Sequence, residues 1–400
     1  MSVRVLAVAD SDSYLKWSAA TCAAMPGEWH RRQVVVRSPI APSSGQIAAA
    51  AGRTIEVVGL TRLLGLIERE RPDIVLLAAT GPTVRTIAAQ RRIRLNRHRP
   101  VLLTGLPGIS LPATRRAVEW RSGCDLMLVH SRRERRAFAE LAAESGSELT
   151  IGLARLPFLA PAGGDGYRTA VAGPDLVFAA QAKVPPTRGQ RRAVLLALAQ
   201  VSPAATAVVK LRATTGEEQT HREVFPYHLL WEELVAEGRV RADAVRFVTG
   251  SMSAALQRAR ACVTVSSTAV LEAMAAGLEV LVLADFGVSA EMINVVFEHS
   301  DCLGTLEDLR RGRFRRPAEA WLTDNYFHPE SDDDWLDQLV RLMRQRERHG
   351  LPHRASGFAD HRAALRQNLR LILPGPAQAG LRRVRARASA ARSRLRAGGR

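Results

Sequence analysis

VTVSSTAVLEAMAAGLEVLVLAD, residues 263–285, contains a strand, a turn, a helix and a second strand in one line. The β-branched run ending at Val265 is continuous rather than alternating, which marks a parallel strand covered on both faces. Three hydroxyls follow, Ser266, Ser267 and Thr268, and then an apolar helix with a single acid, Glu272. Gly277 is expected to end that helix as its C′ residue. Where a strand gives way to a helix, free backbone N–H groups, hydroxyl donors and the helix dipole converge on one point, a setting that suits a phosphate. The other reading is an ordinary Ser/Thr N-cap, but a capping box places its Glu three residues after the cap. Glu272 lies four after Thr268 and five after Ser267, where it can face a ligand such as a ribose diol.

The same texture extends in both directions. Continuous apolar runs at 3–9, 33–37, 54–58, 73–79, 100–104 and 125–130 alternate with helical segments such as LTRLLGLIERER and RRERRAFAELAAES. A second series follows at 175–180, 205–211, 244–250, 261–267 and 279–285. Between them APAGGDGYRTAVAGPD has no period and reads as a linker. The expected fold is α/β, with two doubly wound Rossmann-like domains facing a cleft. The expected boundaries are 1–160 for the first domain, 161–175 for the linker and 176–350 for the second domain. A helix at 351–375 and a basic, disordered tail at 376–400 complete the chain. The acidic stretch HPESDDDWLDQLVRLM (328–343) reads as a helix start and a solvated face.

SSTAVLEAMAAGLEVLVL resembles the donor-nucleotide segment of GT-B glycosyltransferases, in which a hydroxyl or Gly turn leads into an LEAMA-G-x-P-V-like helix and strand. The resemblance covers residues 175 to 300 and implies that Glu272 contacts the donor ribose while Ser266, Ser267 and Thr268 hold the diphosphate. Gly250 and Ser251, in FVTGSMSAALQRA, match the turn that many such enzymes place near the donor base. Retaining members often carry a second Glu eight residues before the first; Thr264 stands there, which points away from that branch. AVVKLRATTGEEQTHREVFPYH (207–228) is similar to the basic segment of bacterial capsule sialyl-, Kdo- and glycerophosphotransferases, although their His-Pro pair is absent. Lys210, Arg212 and His221 in that stretch, with Lys183 in FAAQAKVPP, are the expected cations for the donor phosphates.

On the acceptor side, AVADSDSYLKW puts Asp10 and Asp12 just past the first strand, and a carboxylate there is a candidate general base for a glycosyl acceptor. The alternative is that Asp10 or Ser11 only caps the following helix. Tyr14, Lys16, Gly105, Gly108 and His130 share the strand-end placement and complete the acceptor-side candidates. Only three of the 57 basic residues are lysine, and all three, Lys16, Lys183 and Lys210, follow a strand end closely.

Composition bounds the rest. The chain of 400 residues is 46% apolar, enough for two cores, and no run reaches the roughly 18 apolar residues of a membrane span. Cys22, Cys124, Cys262 and Cys302 lack metal or disulfide spacing, so no metal site is expected, and no cofactor. The resemblance likewise implies no obligatory metal. GxxxxGK[ST], GxGxxG, HExxH and GxSxG are all missing, which leaves nucleoside triphosphatases, Rossmann dehydrogenases, zincins and α/β hydrolases without their motifs. The net charge is +18, and residues 381–400 hold eight Arg and no acid. Such a tail suits an anionic membrane surface, or is simply an Arg-rich end; few aromatics interleave it, so no specific nucleic acid is expected.

The expected function is transfer of a sugar or sugar-like unit from a nucleotide-sugar donor to a glycan, lipid-linked or metabolite acceptor. The expected location is cytoplasmic, peripheral on the inner face of the membrane. A nucleotide-sugar 2-epimerase of the same fold, and a non-catalytic nucleotide- or anionic-surface-binding protein, are the alternatives.

Overall fold

In a computed structural model, which describes residues 3–52, 54–159, 173–201, 205–211, 223–354 and 361–372, the continuous apolar runs become the strands of two parallel sheets. The first sheet contains β1 (Arg4–Ala9), β2 (His30–Val36), β3 (Glu56–Val58), β4 (Ile74–Ala78), β5 (Val101–Gly105), β6 (Leu126–Val129) and β7 (Thr150–Leu153), in the order β3-β2-β1-β4-β5-β6-β7. The second contains β8 (Asp175–Ala179), β9 (Thr206–Lys210), β10 (Val245–Val248), β11 (Ala259–Thr264), β12 (Glu279–Leu283) and β13 (Leu303–Gly304), in the order β10-β9-β8-β11-β12-β13. Every strand pair in both ladders is parallel. Helices cover both faces of each sheet, and each sheet is buried between two apolar clusters. This is the doubly wound pair expected from the sequence. β7 and β13 are additions, too short or too weakly apolar to stand out from their neighbours.

The strand order reverses between β1 and β4 in one sheet and between β8 and β11 in the other, and ligands of such sheets bind beyond the strand ends at that reversal. Both crevices are bridged by a side chain. Asp10 accepts from the Thr80 backbone N–H at 3.0 Å and from its hydroxyl at 2.5 Å, joining the β1 and β4 ends. Gln181 Oε1 accepts from the Ser266 backbone N–H and from its hydroxyl, each at 3.0 Å, joining the β8 and β11 ends. The helix Ala269–Ala275 that follows β11 closes as the sequence suggests: Gly277 has φ +72°, its N–H reaches Met274 O, and Leu278 N–H reaches Ala273 O.

The acidic stretch differs from its reading as a solvated face. Asp334 accepts from Leu153 N–H at 2.9 Å and from Arg135, while Asp333 accepts from Arg155 N–H at 2.9 Å, so both grip the edge strand β7 and its exit. The helix Trp335–His349 then packs on β5, β6 and β7 of the first sheet instead of staying with the second. Its stripe of Trp335, Leu336, Leu339, Leu342 and Met343 supplies the apolar face for that return. The crossing is fastened by Arg136 on Asp324 and by the Tyr326 hydroxyl on Glu134 at 2.6 Å. No helix among the described residues is long and apolar enough to cross a membrane.

Candidate functional site

A cleft of about 870 Å³ lies between the two sheets, a size suited to a small-molecule ligand. One wall carries Asp12 and Lys16 from the helix after β1, with the loop Leu106–Pro112 after β5; the other carries Lys210, Thr268 and Glu272. Two of these wall residues sit just beyond the bridges already described. Asp10 spans the first crevice and Asp12, two residues on, faces the cleft; Ser266 spans the second and Thr268, two residues on, faces the same cleft.

Asp12 is about one third exposed and pairs with Lys16 at 2.8 Å. Across from them Glu272 is half-buried and accepts no hydrogen bond among the described residues. Burial pushes its carboxyl up, and the charges of Lys210 and Lys16 pull it back. Two of the three lysines therefore act on one carboxylate from opposite walls. Lys210 ends β9, is nearly buried, and donates to the Leu211 carbonyl at 2.5 Å. Thr268 Oγ1 makes no hydrogen bond among the described residues and lies against Gly108 of the opposite wall. A Cβ on Gly108 would stand 2.9 Å from that oxygen, so the absence of a side chain at Gly108 gives room to the opposite domain.

Several expected site residues turn out to support the cleft from behind. Asp10 is fully buried, its oxygens taken by Thr80 and its carboxyl pushed up by that burial, so it cannot reach an acceptor hydroxyl. Tyr14 is buried and accepts from Arg121 at 3.0 Å. Gly105 makes room for the Trp17 ring, which a Cβ would overlap at 2.5 Å. Ser266 is buried on Gln181, which follows the end of β8. Ser267 accepts weakly from Ala269 N–H at 3.3 Å, as a capping hydroxyl does. Ser251 caps the short helix Met252–Leu256 through Ala254 N–H at 3.1 Å, and Gly250 makes the preceding turn at φ +93°; the neighbouring Met252 is what lines the cleft. Lys183 is exposed and away from it. Arg212 and His221 lie outside the described residues, as do the central part of the linker and the basic tail.

His130 is likewise structural. Trp17 Nε1 donates to its Nε2 at 2.9 Å, which leaves Nδ1 to donate to Ala154 O at 2.9 Å and makes the ring neutral. Burial lowers its pKa to about 4 from the ordinary 6.5. Between those values the unfolded chain binds the proton and the native state does not, so stability falls as pH drops through that window. The expected result is a pH-dependent loss of denaturant stability between pH 6.5 and about 4 whose slope is shallower in His130→Gln. An identical slope in the variant would show that His130 is not held neutral.

The loop 106–112, which carries the acceptor-side candidate Gly108, presents a mainly apolar wall. Ser110 turns its polar groups away, its N–H to Glu134 at 2.8 Å and its hydroxyl to Gly108 O at 2.9 Å, which leaves Leu106, Pro107, Ile109 and Pro112 to the cleft. The signal available in sequence was the run LPGISLP at a strand end.

A family model described as "Putative glycosyltransferase (DUF6716)" matches residues 5–342. No curated protein matches the chain in sequence. Among solved structures, a "putative UDP-N-acetylglucosamine 2-epimerase from Listeria monocytogenes" is similar at 14% identity and TM-score 0.52, over 92% of this chain and 95% of that one. A UDP-GlcNAc 2-epimerase from Neisseria meningitidis, solved bound to UDP-GlcNAc, is similar at 12% identity and TM-score 0.53, over 86% of this chain and 100% of the other. At these identities the likeness establishes a shared two-domain fold.

Proposed function

The chain belongs to the family described as putative glycosyltransferases, and on that premise we propose that it moves a sugar unit from a nucleotide-sugar donor to an acceptor hydroxyl in the interdomain cleft. The observation that carries this reading is the pairing of walls. Glu272, Lys210 and Thr268 offer an acceptor, a cation and a hydroxyl donor on one side, and Asp12 offers a base on the other. In this scheme Lys210 and the Thr268 hydroxyl hold the donor phosphates, and Glu272 takes the ribose diol. Asp12 removes the acceptor proton as the sugar is transferred. The apolar loop Leu106–Pro112 places the acceptor's less polar part against the first wall.

The test is a thermal-shift screen against UDP-, GDP-, dTDP-, CMP- and CDP-linked sugars, in which a ligand at 100 times its dissociation constant stabilises by about 2.7 kcal/mol. A stabilising donor that is then consumed with release of its nucleotide supports the reading. Isomerised nucleotide sugar without transfer would mark an epimerase, and binding without turnover would mark a non-catalytic protein. Lys210→Met is expected to weaken that donor's binding roughly fivefold, about 1 kcal/mol, since the neutral donors to phosphate remain. Unchanged calorimetric affinity in the folded variant would remove Lys210 from the phosphate site.

A further inference from the structure

Five of the seven large apolar side chains exposed among the described residues gather at one margin of the first sheet. Leu365, Leu369 and Ile372 are 53%, 42% and 43% exposed, and their spacing of four and three residues puts them on one face of the helix His361–Ile372. The opposite face is anchored, with Leu371 fully buried in the core and Asn368 Oδ1 accepting from Gln90 Nε2 at 3.0 Å. The helix rests on Leu60–Glu70 and Gly81–Ala88. Its last turn lies against Gly59, two residues past exposed Val57 on the edge strand β3. Exposed Leu95 stands five residues past Gln90. The outward stripe thus lies between the segments that carry Val57 and Leu95, with its three side chains exposed.

Charge identifies what such a stripe meets. Residues 361–400 contain eleven Arg and no Asp or Glu, and Arg91 and Arg97 are exposed on the segment that carries Leu95, where Arg92 is paired with Glu68 at 2.8 Å. Excess basic charge in a chain segment that carries an exposed aliphatic stripe is the pattern of a helix lying in a membrane interface, with its apolar face among the acyl chains and its cations on anionic headgroups. A nucleic acid would use the charge and leave the stripe unpaired: single strands need aromatic platforms, and the exposed stripe is wholly aliphatic.

We propose that the helix His361–Ile372, together with the β3 edge and the Arg91–Arg97 segment, is a docking face for anionic lipid bilayers, seating the acceptor-side domain on the membrane. The decisive experiment compares the full-length protein with Leu365→Asn/Leu369→Asn/Ile372→Asn in flotation with phosphatidylcholine vesicles, with and without phosphatidylglycerol, at low and high salt. The wild type should bind only the anionic vesicles and weaken with salt. The triple variant should lose at least tenfold in partitioning while retaining its thermal midpoint. Leu365→Asn alone, at the most exposed position, serves if the triple variant is unstable and should lose a few-fold. Arg91→Glu/Arg97→Glu should also weaken binding and reduce its salt dependence. Absence of vesicle binding, or equal binding by the Asn variants, overturns the proposal. So does concentration-dependent self-association of the wild type that the triple variant abolishes, because the stripe would then be covered by a second copy.

Discussion

Asp12→Asn is expected to lower sugar transfer by roughly 10²–10⁴-fold while leaving donor affinity nearly unchanged, the signature of a lost general base. The carboxylate lies on the first-domain wall, faces the cleft, and is held by an ion pair to Lys16 rather than by the fold. Removing its charge leaves the surrounding packing in place, so thermal stability should barely move. Asp10→Asn makes the contrast. That residue bridges the β1 and β4 ends through Thr80, and its replacement should lower the melting temperature more than it lowers kcat in the protein that remains folded. Nucleotide release from the donor found by screening, measured at saturating acceptor, decides between them. If Asp12→Asn retains transfer within about threefold, the base lies elsewhere. If Asp10→Asn shows the kinetic defect without the stability loss, the two aspartates have been assigned the wrong way round.

That pair also shows what the sequence disclosed and what it withheld. Continuous Val, Leu, Ile and Ala runs announced parallel strands, because a strand covered on both faces has no polar side to keep, and β1, β4, β8 and β11 lie where those runs do. Strand ends were the expected place for a site, and Asp12, Lys16, Gly108, Lys210, Thr268 and Glu272 all line the cleft. The direction of each side chain at those ends was not legible. Asp10 and Asp12, like Ser266 and Thr268, differ by two positions in sequence, yet the first of each pair points across the crevice and the second into the cleft. The partners that decide this come from far away: Thr80 is seventy residues from Asp10, and Gln181 is eighty-five from Ser266. The return of Trp335–His349 to the first sheet was hidden for the same reason. Its acids look like a solvated run until Leu153 and Arg135 are brought against them.

Glu272→Gln is expected to reduce donor affinity ten- to hundredfold, equivalent to about 1.5–3 kcal/mol of charge-assisted hydrogen bonding, with little change in the unliganded melting temperature. The side chain is half-buried, takes no hydrogen bond among the described residues, and stands between the fields of Lys210 and Lys16, so its oxygens are directed at the cleft rather than spent on the fold. Glutamine keeps the shape and offers one acceptor oxygen in place of two charged ones. The loss should fall on the ribose. Wild type should prefer a ribonucleotide to its 2′-deoxy analogue, and Glu272→Gln should erase most of that preference while both analogues still benefit from Lys210. Ser267→Ala should do much less, because its hydroxyl caps Ala269 N–H and the backbone donors stay in place. A structural role for Glu272 would give the reverse pattern, a lower melting temperature without ligand and equal losses for the two nucleotides. Calorimetric titration of both analogues into both proteins separates the cases, and a ribose preference that survives Glu272→Gln intact would place the diol contact on another residue.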